Sequence, residues 1–390
     1  MRDMRLPGMI LALCLGIGGV PLWAAGIEKP VVAILKATDH ELVGESFLMN
    51  WDRVLSQGIN RTRKIDYFRA EWSRESEQEI ETLVRDAVDI AGGWPVKTGD
   101  VVLIKPNMVV SIFVLIYHRR TTEDFQACLT DPRIVRALAL MARESGAKRI
   151  IVGAGPAAGD GWAGFMQSGY LAMVEELKAE GVPVELIDFT NEPYTWVKSR
   201  GLANPEYAVP KVVTEVNRII SVPALKNHSK AGVTLSLKNV AVGLMSGRAY
   251  GFYKFGCPHE AIPAWISDVA SMFKIDYTVV DGIWGMEGNG PISGEPVPMD
   301  LIVAGADPVA VDAVCTAIMG FDPRNIGHIT EAARNGLGVA ELDKILVEGD
   351  PIESVAQSFA VVPEGSRWPS AHGGVYKWEE RLEPKAPAIH

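Results

Sequence analysis

The chain spells out a succession of short apolar runs, each followed by a stretch of helical periodicity or by a glycine-rich loop. Val31–Leu35, Val101–Ile104, Arg149–Val152, Val184–Ile187, Ile219–Val222, Thr278–Val280 and Leu301–Ala304 are near-continuous hydrophobic runs of strand length. A strand that is apolar on both faces has to be covered on both, and helices do this in parallel sheets. The segments between the runs supply such helices. Residues 44–91 read as helical, and Glu75–Ala91 sets Ile80, Leu83, Val84 and Ala87 on one face before Gly92, Gly93 and Pro95 stop it. Thr130-Asp131-Pro132 opens a second helix, capped by a side-chain oxygen, that runs to about Glu144 and ends at Gly146. One helix is expected over 162–179, and others over 261–273, from Pro308 onward and over 329–334. This rhythm predicts an α/β fold: a mostly parallel sheet with helices on both faces, right-handed βαβ crossovers and an irregular C-terminal extension. Residues 108–130 read as a long loop with a candidate strand at 112–117, and 189–210 as an excursion from the sheet.

The ends of the chain read differently from its body. Arg2 and Arg5, the apolar run Met9–Val20 and the small residues Ala24 and Ala25 form the pattern of a secretory signal peptide over residues 1–25. The run is too short for a stable membrane span, so the expected product is exported, periplasmic or secreted, with no stable span after cleavage. The α/β domain is expected over 26–345, divisible into lobes at about 26–215 and 216–345, with 346–390 as the extension. Removal of Arg2, Arg5 and Asp3 moves the formal charge from −10 to −11, an acidic balance that disfavours nucleic acid as a partner. Cys128, Cys257 and Cys315 remain, without CxxC spacing, so neither an iron–sulfur cluster nor a four-cysteine zinc site is expected.

Polar residues gather where an apolar chain would not place them. The stretch Arg218–Met245 sets Lys226, Asn227, His228, Lys230, Lys238 and Asn239 within an otherwise hydrophobic run. Burying such groups is costly unless they share a ligand or each other, and the stretch reads as the floor of a polar pocket. Lys105 and Asn107 follow a strand directly, Asp281 ends another, and Glu287 and Asn289 lie in the glycine-rich loop 285–291 behind it. Each alone is more often a turn or cap residue. Together they point to the carboxyl edge of a parallel sheet, where ligands bind.

Lys105, Lys226 and Lys238, with Asn107, Asn239 and Asn289, read as the binders of a small anionic molecule. Convergence of the lysines would lower the basicity of one and create a reactive amine. His228, flanked by Lys226 and Lys230, has its imidazolium form disfavoured, which suits a proton acceptor or a metal ligand. His228, Glu287 and Asp281 are the candidate catalytic set, and His228 with His259 the candidate ligands of a divalent metal.

The motifs IKPN (104–107), LKNHSKAGVTLSLKN (225–239), DGIWGMEGNGPISG (281–294) and ADPVAVDAV (306–314) resemble those of the DUF362 family, a domain of unknown function. The match falls on Lys105, Asn107, Lys226, His228, Lys238, Asn239, His259, Asp281, Glu287, Asp307 and Asp312. Family members often carry a ferredoxin-like cluster domain, and the cysteines for it are missing here. A looser likeness of layout to nickel-pincer racemases rests on strand order alone. Two readings follow: an exported enzyme acting on a small anionic substrate, with or without the assistance of a metal, and a periplasmic small-ligand binding or scaffold protein without catalysis.

Overall fold

The computed structural model describes residues 29–48, 72–110, 122–157, 160–251 and 254–361. The expected signal peptide, the candidate strand at 112–117 and the chain beyond residue 361 lie outside the described residues. The strands are β1 (Val31–Lys36), β2 (Val101–Pro106), β3 (Arg149–Ala154), β4 (Val184–Asp188), β5 (Tyr194–Lys198), β6 (Glu206–Pro210), β7 (Arg218–Val222), β8 (Ala224–His228), β9 (Gly232–Val233), β10 (Tyr277–Glu287), β11 (Glu295–Gly305) and β12 (Leu346–Gly349). The main sheet runs β12–β1–β11–β10–β7–β2–β3–β4, with β8 beside β10 and β9 beside β8. It is parallel throughout β10–β7–β2–β3–β4, and β11 is the antiparallel member, inserted between β1 and β10. The mostly parallel α/β sheet expected from the apolar runs is therefore present, with one long hairpin added to it.

Both faces are covered. One carries α1 (Arg74–Ala91), α2 (Pro132–Glu144), α3 (Gly161–Gln167) and α4 (Tyr170–Ala179). The other carries α5 (Leu235–Gly243), α6 (Ile262–Met272), α7 (Pro308–Ile318) and α8 (Gly327–Arg334). Side chains alternate across a strand, and β2 shows it: Val102 and Ile104 join the core with Ile80, Val84, Ile134 and Met173, while Leu103 joins Val240, Trp265 and Val311. Each run is apolar at nearly every position because each strand feeds two cores.

Local chemistry sets the boundaries. The Ser73 hydroxyl caps α1, and Glu45 accepts from both the Ser73 N–H (2.6 Å) and its hydroxyl (2.9 Å). That reach keeps residues 45–48 irregular rather than part of the helix read over 44–91. The helix expected over 162–179 is two helices, because Gly169 takes φ 75° and no right-handed helix passes through that conformation. The excursion at 189–210 contains the antiparallel β5–β6 hairpin. The loop read over 285–291 is shorter than its glycines suggest: β10 continues to Glu287 and pairs with β11 to Glu295, across a bulge between Gly282 and Trp284. Pro223, which has no N–H to donate, ends β7 and deflects the chain into β8, leaving its carbonyl to accept from Asp281 N (2.9 Å). β12, at the start of the expected extension, pairs in parallel with β1. No helix among the described residues is long and apolar enough to cross a membrane.

Candidate functional site

Adjacent strands hand their carboxyl ends to one rim of the sheet. β2 delivers Lys105 and Asn107, β3 is followed by Gly155, and β8 carries Lys226. α5 crosses this rim and adds Lys238, Asn239 and Gly243, with Thr234 just before it, and Lys254 enters from the segment that follows. With Met108, Val109, Ala157, Val242 and Pro291 these residues line a cleft of about 380 Å³, counting its open mouth. Among the described residues, no Asp or Glu is part of that lining.

The four lysines are buried, Lys226 completely and Lys238 most exposed at 9 %. Lys226 spends all three donors, on Asn107 Oδ1 (3.0 Å), the Cys128 carbonyl (2.6 Å) and the Pro291 carbonyl (3.4 Å). Lys105 donates to the Pro106 carbonyl (2.6 Å) and Asn239 Oδ1 (3.3 Å), and Lys254 to the carbonyls of Gly155 (3.0 Å) and Val242 (2.7 Å). Each of these two keeps one donor. Lys238 donates to no side chain or carbonyl among the described residues. Asn239 cross-links the rim by donating to the Lys105 carbonyl (2.8 Å) and Ser221 Oγ (3.2 Å). Gly243 is required by close approach, since a Cβ there would overlap Cε and Nζ of Lys105.

Burial weakens these bases, although the charges of Asp281 and Asp188 work against it at Lys226 and Lys254. Desolvation, with the charges of Lys226 and Lys254, brings Lys238 down to about 7. Burial brings Lys226 and Lys254 each to about 8. Lys105 lies well below the ordinary lysine value through burial and the neighbouring charge of Lys254. The condition set by the sequence, that the lysines converge, is met.

Lys105, Asn107, Lys226, Lys238 and Asn239 thus come together as the sequence suggests. The remaining candidates lie outside the cleft lining, His228 close beside it. Asp281 is buried and accepts from Asp131 N (2.7 Å) and Ile283 N (3.1 Å), with its carboxyl pushed up by burial and by the charge of Asp131. Its role in the packing is to tie β10 to the start of α2. Glu287 Oε2 accepts from Ala360 N (2.7 Å), holding the tip of the β10–β11 hairpin against the chain at residue 360. Asn289 lies in the same tip, and its Oδ1 is buried without a partner. His228 Nδ1 accepts from the N–H groups of Lys230 (3.0 Å) and Ala231 (3.2 Å), so a neutral ring carries its proton on Nε2. Burial and the charges of Lys238 and Lys226 hold His228 well below its usual value. His259 packs edge-on to Trp265 and faces the Cys257 carbonyl through Nδ1 (2.9 Å). Among the described residues no three His, Cys, Asp or Glu side chains gather as metal ligands would.

Sequence reasoning missed Lys254, Thr234 and His328. Lys254 stands alone in a glycine- and aromatic-rich run and takes φ 52°, a left-handed conformation that costs a non-glycine residue about 1–2 kcal/mol. Its one legible signal was a lone cation in that apolar company. Thr234 precedes α5 without capping it, and its buried hydroxyl has no partner. His328 on α8 is completely buried with its ring against the backbone of Ala231, and burial with the Lys238 charge drives it down to about 3.

α5 is capped from outside instead. Asp312 on α7 accepts from Ser236 N (2.7 Å) and Leu237 N (3.0 Å), which explains the second aspartate of ADPVAVDAV. The first, Asp307, caps α7 itself. Asp312→Ala is expected to lower stability by about 1–3 kcal/mol, because two buried N–H groups lose their acceptor. Chemical unfolding of the two proteins measures it.

Fold and cleft define a class: an α/β protein with a lysine-lined pocket at the carboxyl edge of a mixed sheet. Residues 102–317 match the family described as a domain of unknown function, DUF362, and the chain belongs to that family. A relative, the thylakoid-associated protein sll1697 of Synechocystis sp., is 26% identical over 266 residues, covering 68% of this chain and 77% of its own length. The lactate racemase apoprotein of Thermoanaerobacterium thermosaccharolyticum is similar at TM-score 0.34 and 12% identity over 62% of this chain. The chain spans 55% of that racemase, and a likeness this distant carries no weight for fold or activity.

Proposed function

We propose that this DUF362 protein is exported and acts as an enzyme on a small anionic organic substrate held in the lysine cleft. One observation carries the reading: four buried lysines line a single cleft whose lining, among the described residues, has no carboxylate. Uncompensated buried charge is strongly unfavourable, and an anionic guest removes that cost. The unspent donors of Lys105, Lys238 and Lys254 and the unpartnered hydroxyl of Thr234 supply its hydrogen bonds. The enclosed room of the cleft takes only a few water-sized groups, which suits a guest of few heavy atoms. Export rests on the N-terminal pattern of charged, apolar and small residues.

A non-catalytic binding protein is the second reading. It is favoured by the carboxyl groups of Asp281 and Glu287, which are occupied by backbone N–H groups and lie outside the cleft lining. Both readings require anion binding. Calorimetric titration with phosphate and with pyruvate is expected to show saturable binding that Lys254→Met weakens at least about tenfold, the loss of one charge-assisted bond. Binding unaffected by that change, or no binding of any small anion, overturns the anion pocket. Recovery of every bound compound unchanged favours the second reading over the first.

A further inference from the structure

We infer that Lys238 is a covalent, imine-forming lysine and that the substrate class of the cleft is the 2-oxo acids. The inference rests on the anion-pocket reading and divides the lysines by task. Lys226 is saturated by three acceptors, and Lys105 and Lys254 are each tethered by two. Tethered ammonium groups are placed to hold a carboxylate. Lys238 alone reaches the cleft without a tether, from the second turn of a helix whose first N–H groups are held by Asp312. An untethered amine can swing onto a carbon atom, whereas a hydrogen-bonded one cannot without losing its bonds.

The surroundings favour the neutral amine that such chemistry needs. Cationic neighbours and desolvation are the recognised means of activating a lysine nucleophile. His228 and His328, whose rings are neutral at physiological pH, add no carboxylate that would restore the ammonium form. A 2-oxo acid carries its carboxylate one bond from its carbonyl, so a lysine that holds the carboxylate and a lysine that attacks the carbonyl would act on adjacent carbons of one guest. Met108, Val109 and Val242 provide apolar wall for a short alkyl group. In the step itself the Lys238 nitrogen lone pair attacks the carbonyl carbon. The two hydrogens of the neutral amine pass to the carbonyl oxygen, the carbon–oxygen bond breaks as water leaves, and a carbon–nitrogen double bond remains. No oxidant or reductant takes part.

Incubation of the full protein with pyruvate and cyanoborohydride, followed by peptide mass spectrometry, tests this. The reagent reduces an imine to a stable secondary amine at its site. A single adduct on the peptide containing Lys238 is expected, formed with a rate that rises through pH about 7 rather than about 10, and absent in Lys238→Arg. Mapping in the unmutated protein stands even where the variant fails to fold. Labelling spread over exposed lysines such as Lys274, or no adduct while calorimetry shows pyruvate bound, overturns the covalent role and leaves the anion pocket intact. Absence of both binding and adduct ends both readings.

Discussion

Arg133→Met is expected to lower the unfolding free energy by about 3–5 kcal/mol, the cost of stranding a buried charge. The Arg133 side chain is fully buried, and its guanidinium pairs with Asp131 through Nη2 (2.6 Å) and Nε (3.0 Å). It also donates to Ser76 Oγ and to the carbonyls of Val43 (3.2 Å) and Glu45 (2.7 Å), and stacks over Trp72. Methionine fills much of the volume but leaves Asp131 buried beside Asp281 with no positive charge between them. Adding Asp131→Asn to Arg133→Met is expected to recover part of the loss, because asparagine still caps α2 and carries no charge. Denaturant unfolding of the single and double variants decides the matter. A loss under about 1 kcal/mol, as at a surface pair, would contradict the account. Asp281 is thereby explained as one corner of a structural network.

Stability of the ligand-free protein is expected to rise between pH 7 and pH 10 through the lysine cleft. The ordinary lysine value is 10.5, whereas Lys238 lies at about 7 and Lys226 and Lys254 at about 8 in the folded chain. Within that window the unfolded chain binds more protons than the folded one, so stability increases with pH and is lost as pH falls through 8 and then 7. Each pH unit of displacement corresponds to about 1.4 kcal/mol. Asp312, pushed up to about 8 by burial, works in the opposite sense below that pH. The measurement is therefore the difference between the parent and Lys238→Met. Thermal unfolding across this range should give the variant a flatter profile, with its advantage largest near pH 7. Phosphate should raise the melting temperature of the parent most at that same pH, where the lysines are most costly when unpaired. Parallel profiles for the two proteins would remove the electrostatic basis of the proposed site.

How much of this was legible beforehand can be read from particular residues. The apolar runs at 101–104 and 149–152 announced strands covered on both faces, and Asp131-Pro132 announced the start of α2, because such features act over a few residues. Lys105, Lys226 and Lys238 stood out because cations within apolar runs are costly wherever the chain folds. Asp281 and Glu287 stand out for another reason, their place at a strand end and in a glycine-rich loop, and their oxygens accept from the N–H groups of Asp131 and Ala360. No spacing in the sequence records a hydrogen bond between residues so far apart.

Order along the chain therefore determined the α/β class, the family motifs and the lysines that had to find partners. It could not show that Lys254 completes the cleft, that Asp312 caps the helix bearing Lys238, or that Glu287 closes a hairpin tip. Those depend on which strand ends become neighbours. Strand order in a parallel sheet is set by the summed packing of two cores on either face, not by any local run of residues. Only the folded chain decides which buried polar groups satisfy one another and which are left facing a guest.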